Sequence, residues 1–441
     1  MIIRKSALIQ YVLIYLMMIY NGGVLYYTIQ GENPIYNQVV SYAIILIGFI
    51  AILFNKRKYS NRYCLYISLI LAIGVIVVRY TVGGVGLSVL VEYLSCIMMA
   101  FLAVCVDKSM FSTRMINVVY YFAGLSVICY FIQLFYPDIL KTILTPFSST
   151  FSYNDWSAAT YGGSVIRVPY TAWGKLFFTM REGEMTRNLG IYTEPGNYQI
   201  VLNCALFSLL FLPQFHLFDR KQVRRRFIII TLAVLTTQST SGYLILLSYF
   251  IAFFFVKEYD NLTNIKKTIL GSLFFVAILL VLNYNIRGNE SLLYTALLGK
   301  LFSDGNVDIT ASTGVWRLGT MGTSVVIMIT HPFGVGFDAT FSTIQQQLAG
   351  AAGGALMTFG AALGVIPFFA TIIWHIRPII KSCNLTTAAK IVFMILFFQS
   401  TMAQSMVFYP FIVSIVILLV VNRRNNCLRY DTDASIEAKY E

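Results

Sequence analysis

Charge is scarce in this chain. Of its 441 residues only 12% are Asp, Glu, Lys or Arg, against about 25% in ordinary globular proteins, which excludes both a conventional soluble domain and a charged disordered chain. Histidine is scarcer still. His216, His331 and His375 are the only three, scattered too widely for a recognisable zinc or haem site. The seven cysteines lack metal-ligand spacing and avoid the outer loops, so no disulfide framework is expected. A P-loop, a dinucleotide fingerprint and a His-Glu-x-x-His motif are also missing, so no metal and no cofactor is expected.

What is present is apolar. Hydrophobic residues make up 58% of the chain and the mean hydropathy is +0.72, values that place it in a bilayer. The apolar runs predict about twelve spans, at 7–29, 38–54, 63–79, 87–106, 116–136, 191–212, 227–239, 241–256, 268–284, 355–374, 388–404 and 407–421. The first reads as a retained helix, since no small-residue cleavage site follows it. Lys and Arg set the orientation. The N-terminal IIRKS, the loops at 55–62, 107–114, 219–226, 257–267 and 375–390, and the tail from Asn422 hold 23 of the 32 basic residues. Both termini are therefore expected in the cytoplasm, and the +13 net charge requires no nucleic acid. The expected fold is an all-α polytopic membrane protein, one bundle over residues 1–441, with two large outer loops at 137–190 and 285–354. The second loop is expected to carry an amphipathic or re-entrant helix.

Charged residues concentrate where polar loops meet apolar helices. In TRNLGIYTEPGNYQ, Thr186 to Gln199, Arg187 and Glu194 stand at such a junction. TTQSTSGY, 236–243, reads as the polar tip of a hairpin of two short helices. The stretch from Thr313 to Phe337 carries Arg317, then His331-Pro332 and the turn Gly334-Val335-Gly336, which is expected to line a cavity because irregular backbone at membrane depth needs protein or water partners. Glu92 is the only carboxylate well inside a predicted span, a costly position that marks function unless Arg79, across a short outer loop, pairs with it. An outer-face site rich in Arg, with no metal or nucleotide, needs a substrate that arrives already activated. A lipid diphosphate sugar meets that need, because guanidinium stays ionised and forks onto phosphate oxygens.

The pattern Arg187-x-x-Gly190-x-x-x-Glu194-Pro195, the TQSTSGY hinge, and Arg317 followed by His331-Pro332-x-Gly-Val-Gly resemble the O-antigen polymerase and O-antigen ligase family of bacterial inner membranes, over residues 185–370. The resemblance implies a metal-independent glycosyltransferase that acts on undecaprenyl-diphosphate-linked oligosaccharides at the periplasmic face. Membrane lipid, a chain-length regulator and a flippase are the partners it implies, with no nucleic acid. By that resemblance Arg187 and Arg317 bind the donor diphosphate. Glu194 is the candidate general base and His331 a further catalytic candidate, while Arg167, Arg181, Arg287, Asn197, Asp304 and Asp308 are candidate substrate ligands. The residues alone equally allow interfacial anchoring of the arginines, or an ion pair with Glu182, Glu184 or Glu194. The ligase branch carries a further His before the helix that here begins near Ala355, where this chain has AAGGALMTFGAALG. That favours the polymerase over the ligase. The pattern also admits a capsule repeat-unit polymerase and, from a different class, a polysaccharide flippase or transporter.

Overall fold

The computed structural model describes residues 5–20, 22–23, 34–54, 58–82, 87–155, 166–181, 186–255, 302–303, 306–307, 312–348, 354–383, 385–404 and 406–422. It is dominated by helices: α1 Lys5–Tyr20, α2 Pro34–Phe54, α3 Lys58–Val82, α4 Leu87–Val106, α5 Phe111–Phe135, α6 Pro137–Leu144, α7 Pro195–Phe211, α8 Arg220–Thr236, α9 Thr240–Phe255, α10 Ser312–Thr330, α11 Phe337–Leu348, α12 Ala355–Leu363, α13 Val365–Ile380, α14 Thr387–Ala403 and α15 Pro410–Asn422. Three of them contain runs long and apolar enough to cross a membrane, Ser60–Val82, Ser88–Val106 and Phe111–Phe135. Their outward faces remain apolar: Tyr66, Leu69, Ile73 and Ile76 on α3, and Tyr121, Ile128 and Phe135 on α5, are all exposed. Apolar outward faces of this kind suit a hydrocarbon surrounding.

Proline fixes several helix starts. Pro34, Pro137, Pro195 and Pro410 each occupy the first helical position, where the missing N–H would have had no partner and φ is already helical. Helix α7 is apolar almost all round and buried almost all round, the pairing expected of a central helix. Helices α5, α8, α9 and α14 pack about it. Far from this centre, α1, α4 and α5 are tied by one polar knot. Gln10 Nε2 donates to the carbonyls of Ala103 (2.6 Å) and Asp107 (2.9 Å), Arg114 Nη1 donates to Gln10 Oε1, and Arg114 pairs with Asp107 at 3.0 Å.

Two regions depart from the sequence expectations. The loop at 137–190 is folded. Leu140 and Leu144 of α6 close a small second core with Trp173, Phe178 and Met180, beneath an antiparallel sheet of β1 Ser149–Asp155, β2 Ile166–Trp173 and β3 Met180–Arg181. The expected span at 355–374 is instead two helices, broken at Gly364, whose φ of 92° lies outside the helical range. The break has a cause. Val365 N–H donates to Pro332 O (2.9 Å), and a Cβ on Gly364 would come within 2.6 Å of that oxygen, so a returning turn is wedged against the chain there. The expected first span, 7–29, is helical to Tyr20, and the expected span 268–284 lies outside the described residues.

The polar knot gives a pH prediction. Burial alone would raise the Asp107 carboxyl, but hydrogen bonds from Ser109 and Arg114 and the Arg114 charge outweigh it and hold the group below the usual carboxylate range. A depressed carboxylate contributes stability above its unfolded pKa of about 3.9, and that contribution is lost as pH falls through the lower folded value. Asp107→Asn is therefore expected to lower the melting temperature at pH 7. The gap should narrow as pH falls below the unfolded value of about 3.9 and vanish once the lower folded value is passed, read by thermal unfolding of the detergent-solubilised protein across pH.

Candidate functional site

The first motif segment and the polar hairpin tip, distant in sequence, meet in the structure. Helix α8 ends at Thr236 and leaves carbonyls with no partner inside the helix, the general condition of a helix C-terminus. Arg187 supplies donors: its Nε donates to Thr237 O (3.3 Å) and its Nη2 to Gln238 O (3.2 Å). A cation at this end also complements the helix dipole. Gln238 reciprocates, its Nε2 donating to Thr186 O at 3.0 Å. Among the described residues Gln238 is the one non-glycine with positive φ, 50°, a conformation costing a side chain about 1–2 kcal/mol. The two chains thus hold each other by main-chain carbonyls on both sides.

Asn188 completes the clamp. Its N–H donates to Thr236 O (3.0 Å), its Nδ2 to Thr236 Oγ1 (2.9 Å) and Ser126 Oγ (3.2 Å), and its Oδ1 accepts from Gly190 N–H (3.0 Å). Ser126 in turn meets Tyr198 OH at 2.7 Å, so α5, α7, α8 and the motif loop share one buried network. Gly190 has a φ of 56°, and a Cβ there would stand 2.8 Å from the Tyr198 ring, which accounts for glycine within the Arg-x-x-Gly spacing.

Glu194 is the N-cap of α7 in extended conformation; its carbonyl accepts from Asn197 N–H (3.2 Å) and its side chain makes no capping bond. That side chain is exposed, so the burial that would suit it to a general base is absent. Arg181, on β3, reaches the same loop, its Nη1 donating to Thr193 O at 3.3 Å. Asn197, expected as a substrate ligand, is buried. Its Oδ1 accepts from Tyr409 OH (3.3 Å), and its Nδ2 lies where a Cβ on Gly22 would come within 2.5 Å. In this structure it joins α7 to the turn after α1 and to the chain before α15.

The second motif segment arrives through backbone contacts. Arg317 lies in α10, one turn before Thr320 and Met321, both 3.5 Å from a Cβ built on Gly354. Gly354 N–H donates to Met402 O (2.7 Å) and Ala355 N–H to Gln404 O (3.2 Å). The Gln404 side chain packs so closely on Gly196, in the first turn of α7, that its Nε2 leaves no room for a Cβ there. The Arg317 end of α10 and the Glu194 end of α7 therefore stand at the same end of the bundle.

His331 does not. It follows the last residue of α10, and at 1.5 Å per residue it lies about 20 Å along the axis from Arg317. Among the described residues its exposed ring has one hydrogen-bond partner, the neighbouring hydroxyl Thr330 Oγ1 at 2.9 Å. The turn after it docks on the far end of α12, Val335 N–H to Ala361 O (3.1 Å) and Gly336 N–H to Ala362 O (2.9 Å). Helix α10 thus separates Arg317 from His331. Arg167 stands in β2 opposite Asn154, while Arg287, Asp304 and Asp308 lie outside the described residues. Asn188, Gln238 and Ser126 were not among the sequence candidates. Asn188 carried a signal in its position beside Arg187, and Gln238 in its place within the TQSTSGY hinge, while Ser126 carried none.

Removing one arm of the clamp leaves buried partners unsatisfied. Asn188→Ala is expected to cost about 1–3 kcal/mol, and Gly190→Ala to destabilise through both strain and the clash with Tyr198. By contrast Gly322→Ala, where a Cβ meets nothing within 4 Å, should be neutral or stabilising by up to about 1 kcal/mol. Denaturant or thermal unfolding of the three variants side by side checks this.

No protein-family model matches this chain and no curated protein matches it, so its function has to be argued from its own residues.

Proposed function

We propose that this protein is a polytopic glycosyltransferase of the bacterial inner membrane that polymerises undecaprenyl-diphosphate-linked O-antigen repeat units on the periplasmic face. In this reading the chain crosses the bilayer about twelve times with both termini cytoplasmic, and the second outer loop, 285–354, carries α10 as an amphipathic or re-entrant helix. The observation that carries it is the start of α7, where Arg181 bonds the Thr193 carbonyl beside the exposed Glu194, the same loop holds Arg187 on the α8–α9 hinge, and the Arg317 end of α10 stands at that end of the bundle. Two arginine-bearing segments at the mouth of an apolar bundle suit a substrate with a lipid tail and a diphosphate head.

The chemistry asks little of the protein beyond positioning and charge. A sugar hydroxyl of one lipid-linked unit attacks the anomeric carbon of the growing chain, the C–O bond to the diphosphate breaks, and undecaprenyl diphosphate departs. One such displacement inverts the anomeric centre. Fixing one edge of the Arg187 guanidinium on the hinge carbonyls orients its planar fork, and a pre-oriented cation stabilises developing charge without reorganising in the transition state. Removal of a comparable single donor costs about 3–4 kcal/mol in other enzymes, roughly 10²–10³ in rate.

Arg187→Ala and Arg317→Ala are each expected to reduce polymer to traces in cells, with core bearing a single repeat unit on a lipopolysaccharide gel. His331→Ala should leave the ladder intact. Intact ladders in both arginine variants would sink this site, bare core with lipid-linked polymer accumulating would indicate a ligase, and bare core without outer-face glycan would indicate transport.

A further inference from the structure

The reaction needs a group to take the proton of the attacking hydroxyl, and the exposed, helix-capping Glu194 is poorly suited to it. Glu92 is the stronger candidate. It lies in the second turn of α4, half-buried, within an apolar helix where a carboxylate is costly and is kept for a reason. The bland reason, a pair with Arg79, does not hold: Arg79 is exposed, and among the described residues Glu92 has no ion pair and no side-chain hydrogen bond.

A route of packing leads from this turn of α4 to the first turn of α7: Tyr93, beside Glu92, packs its ring on Phe408 (5.3 Å) and Phe359 (5.7 Å), and Tyr409, next to Phe408, donates to Asn197 Oδ1. Asn197 stands three residues after Glu194. Among the described residues, the titratable groups near Glu92 on its own helix are Tyr93 and Cys96, and the packed neighbours α1, α2 and α3 bring Tyr20, Ser41, which meets Tyr20 OH at 3.4 Å, and the exposed Arg79. The surroundings are therefore apolar or hydroxyl-bearing, the setting in which a carboxylate serves as a base near neutral pH.

We propose that Glu92 is the catalytic carboxylate that accepts the proton of the acceptor sugar hydroxyl, a role that rests on the polymerase reading. The hydroxyl oxygen forms its bond to the anomeric carbon as its proton passes to a Glu92 oxygen. The bond from that carbon to the diphosphate oxygen breaks, and its electron pair leaves with undecaprenyl diphosphate. The proton on Glu92 then returns to solvent at the outer face.

The test uses the purified full chain in liposomes with lipid-linked repeat units. Glu92→Gln is expected to slow elongation by about 10²–10⁴-fold, the range for losing a general base, and to abolish the acid limb of the pH–rate profile while the KM for the lipid-linked substrate changes little. Glu92→Asp should retain part of the rate with a displaced acid limb, and it carries the test if the Gln variant fails to unfold cooperatively. Glu194→Gln should keep the limb. Dicyclohexylcarbodiimide, which modifies carboxyls in apolar surroundings, should label Glu92 and be excluded by the lipid-linked substrate, as read by peptide mass spectrometry. An active wild type whose Glu92→Gln variant stays within threefold of it, or labelling undiminished by substrate, overturns the base role alone. A wild type that extends no glycan overturns the polymerase reading and the base role together.

Discussion

The arrangement depends on how one interrupted stretch of backbone is satisfied. Between α8 and α9 the chain reverses, and a helix-end carbonyl buried there without a donor is expensive. Arg187 and Asn188 supply donors, and Gln238, forced into a left-handed conformation, returns a bond to Thr186. Hydrogen bonds from a charged donor are worth about 1.5–3 kcal/mol each. The clamp therefore stabilises the hinge and also fixes the guanidinium in place. Stability and positioning of the candidate ligand are one interaction, so a loss-of-function variant at Arg187 has to be separated from an unfolding one.

Around this clamp the bundle is assembled by close approach. Glycines at 22 and 196 let Asn197 and Gln404 come within distances that a Cβ would not permit, and Gly354 supplies the left-handed φ of 75° that opens α12. The same economy acts at Gly364, where the turn after His331 wedges against the chain and divides what would be a single span. The result is a rim at one end of α7 built from four separate stretches of sequence. Helix α7 itself, buried on nearly every face, is the fixed reference for all of them.

Much of this was legible in the sequence, for physical reasons. Long apolar runs must be helical where no water bonds the backbone, and α4 follows its run from Leu87 to Val106. The junction at Glu194 reads as the meeting of a polar loop and an apolar helix, and the expected span 191–212 is helical from Pro195 to Phe211. What was hidden depended on distance through space. Nothing in the sequence beside Arg187 names the Thr237 and Gln238 carbonyls as its partners, because main-chain acceptors carry no residue signature. The sheet at 149–173 was read as loop because its strands sit within a polar segment whose short second core needs α6 to close it. Arg317 and His331 belong to one motif, and their separation along α10 shows only in the fold.

The chemistry that the rim is held to perform can be observed directly. Purified protein in liposomes without any ion gradient, supplied only with undecaprenyl-diphosphate-linked repeat units, would be followed by the length of the lipid-linked glycan on a gel. A ladder of lengths, with undecaprenyl diphosphate released once per joined unit, is the predicted result. Unchanged glycan length in a correctly folded, cooperatively unfolding sample would contradict the account and leave these helices to a binding or transport role.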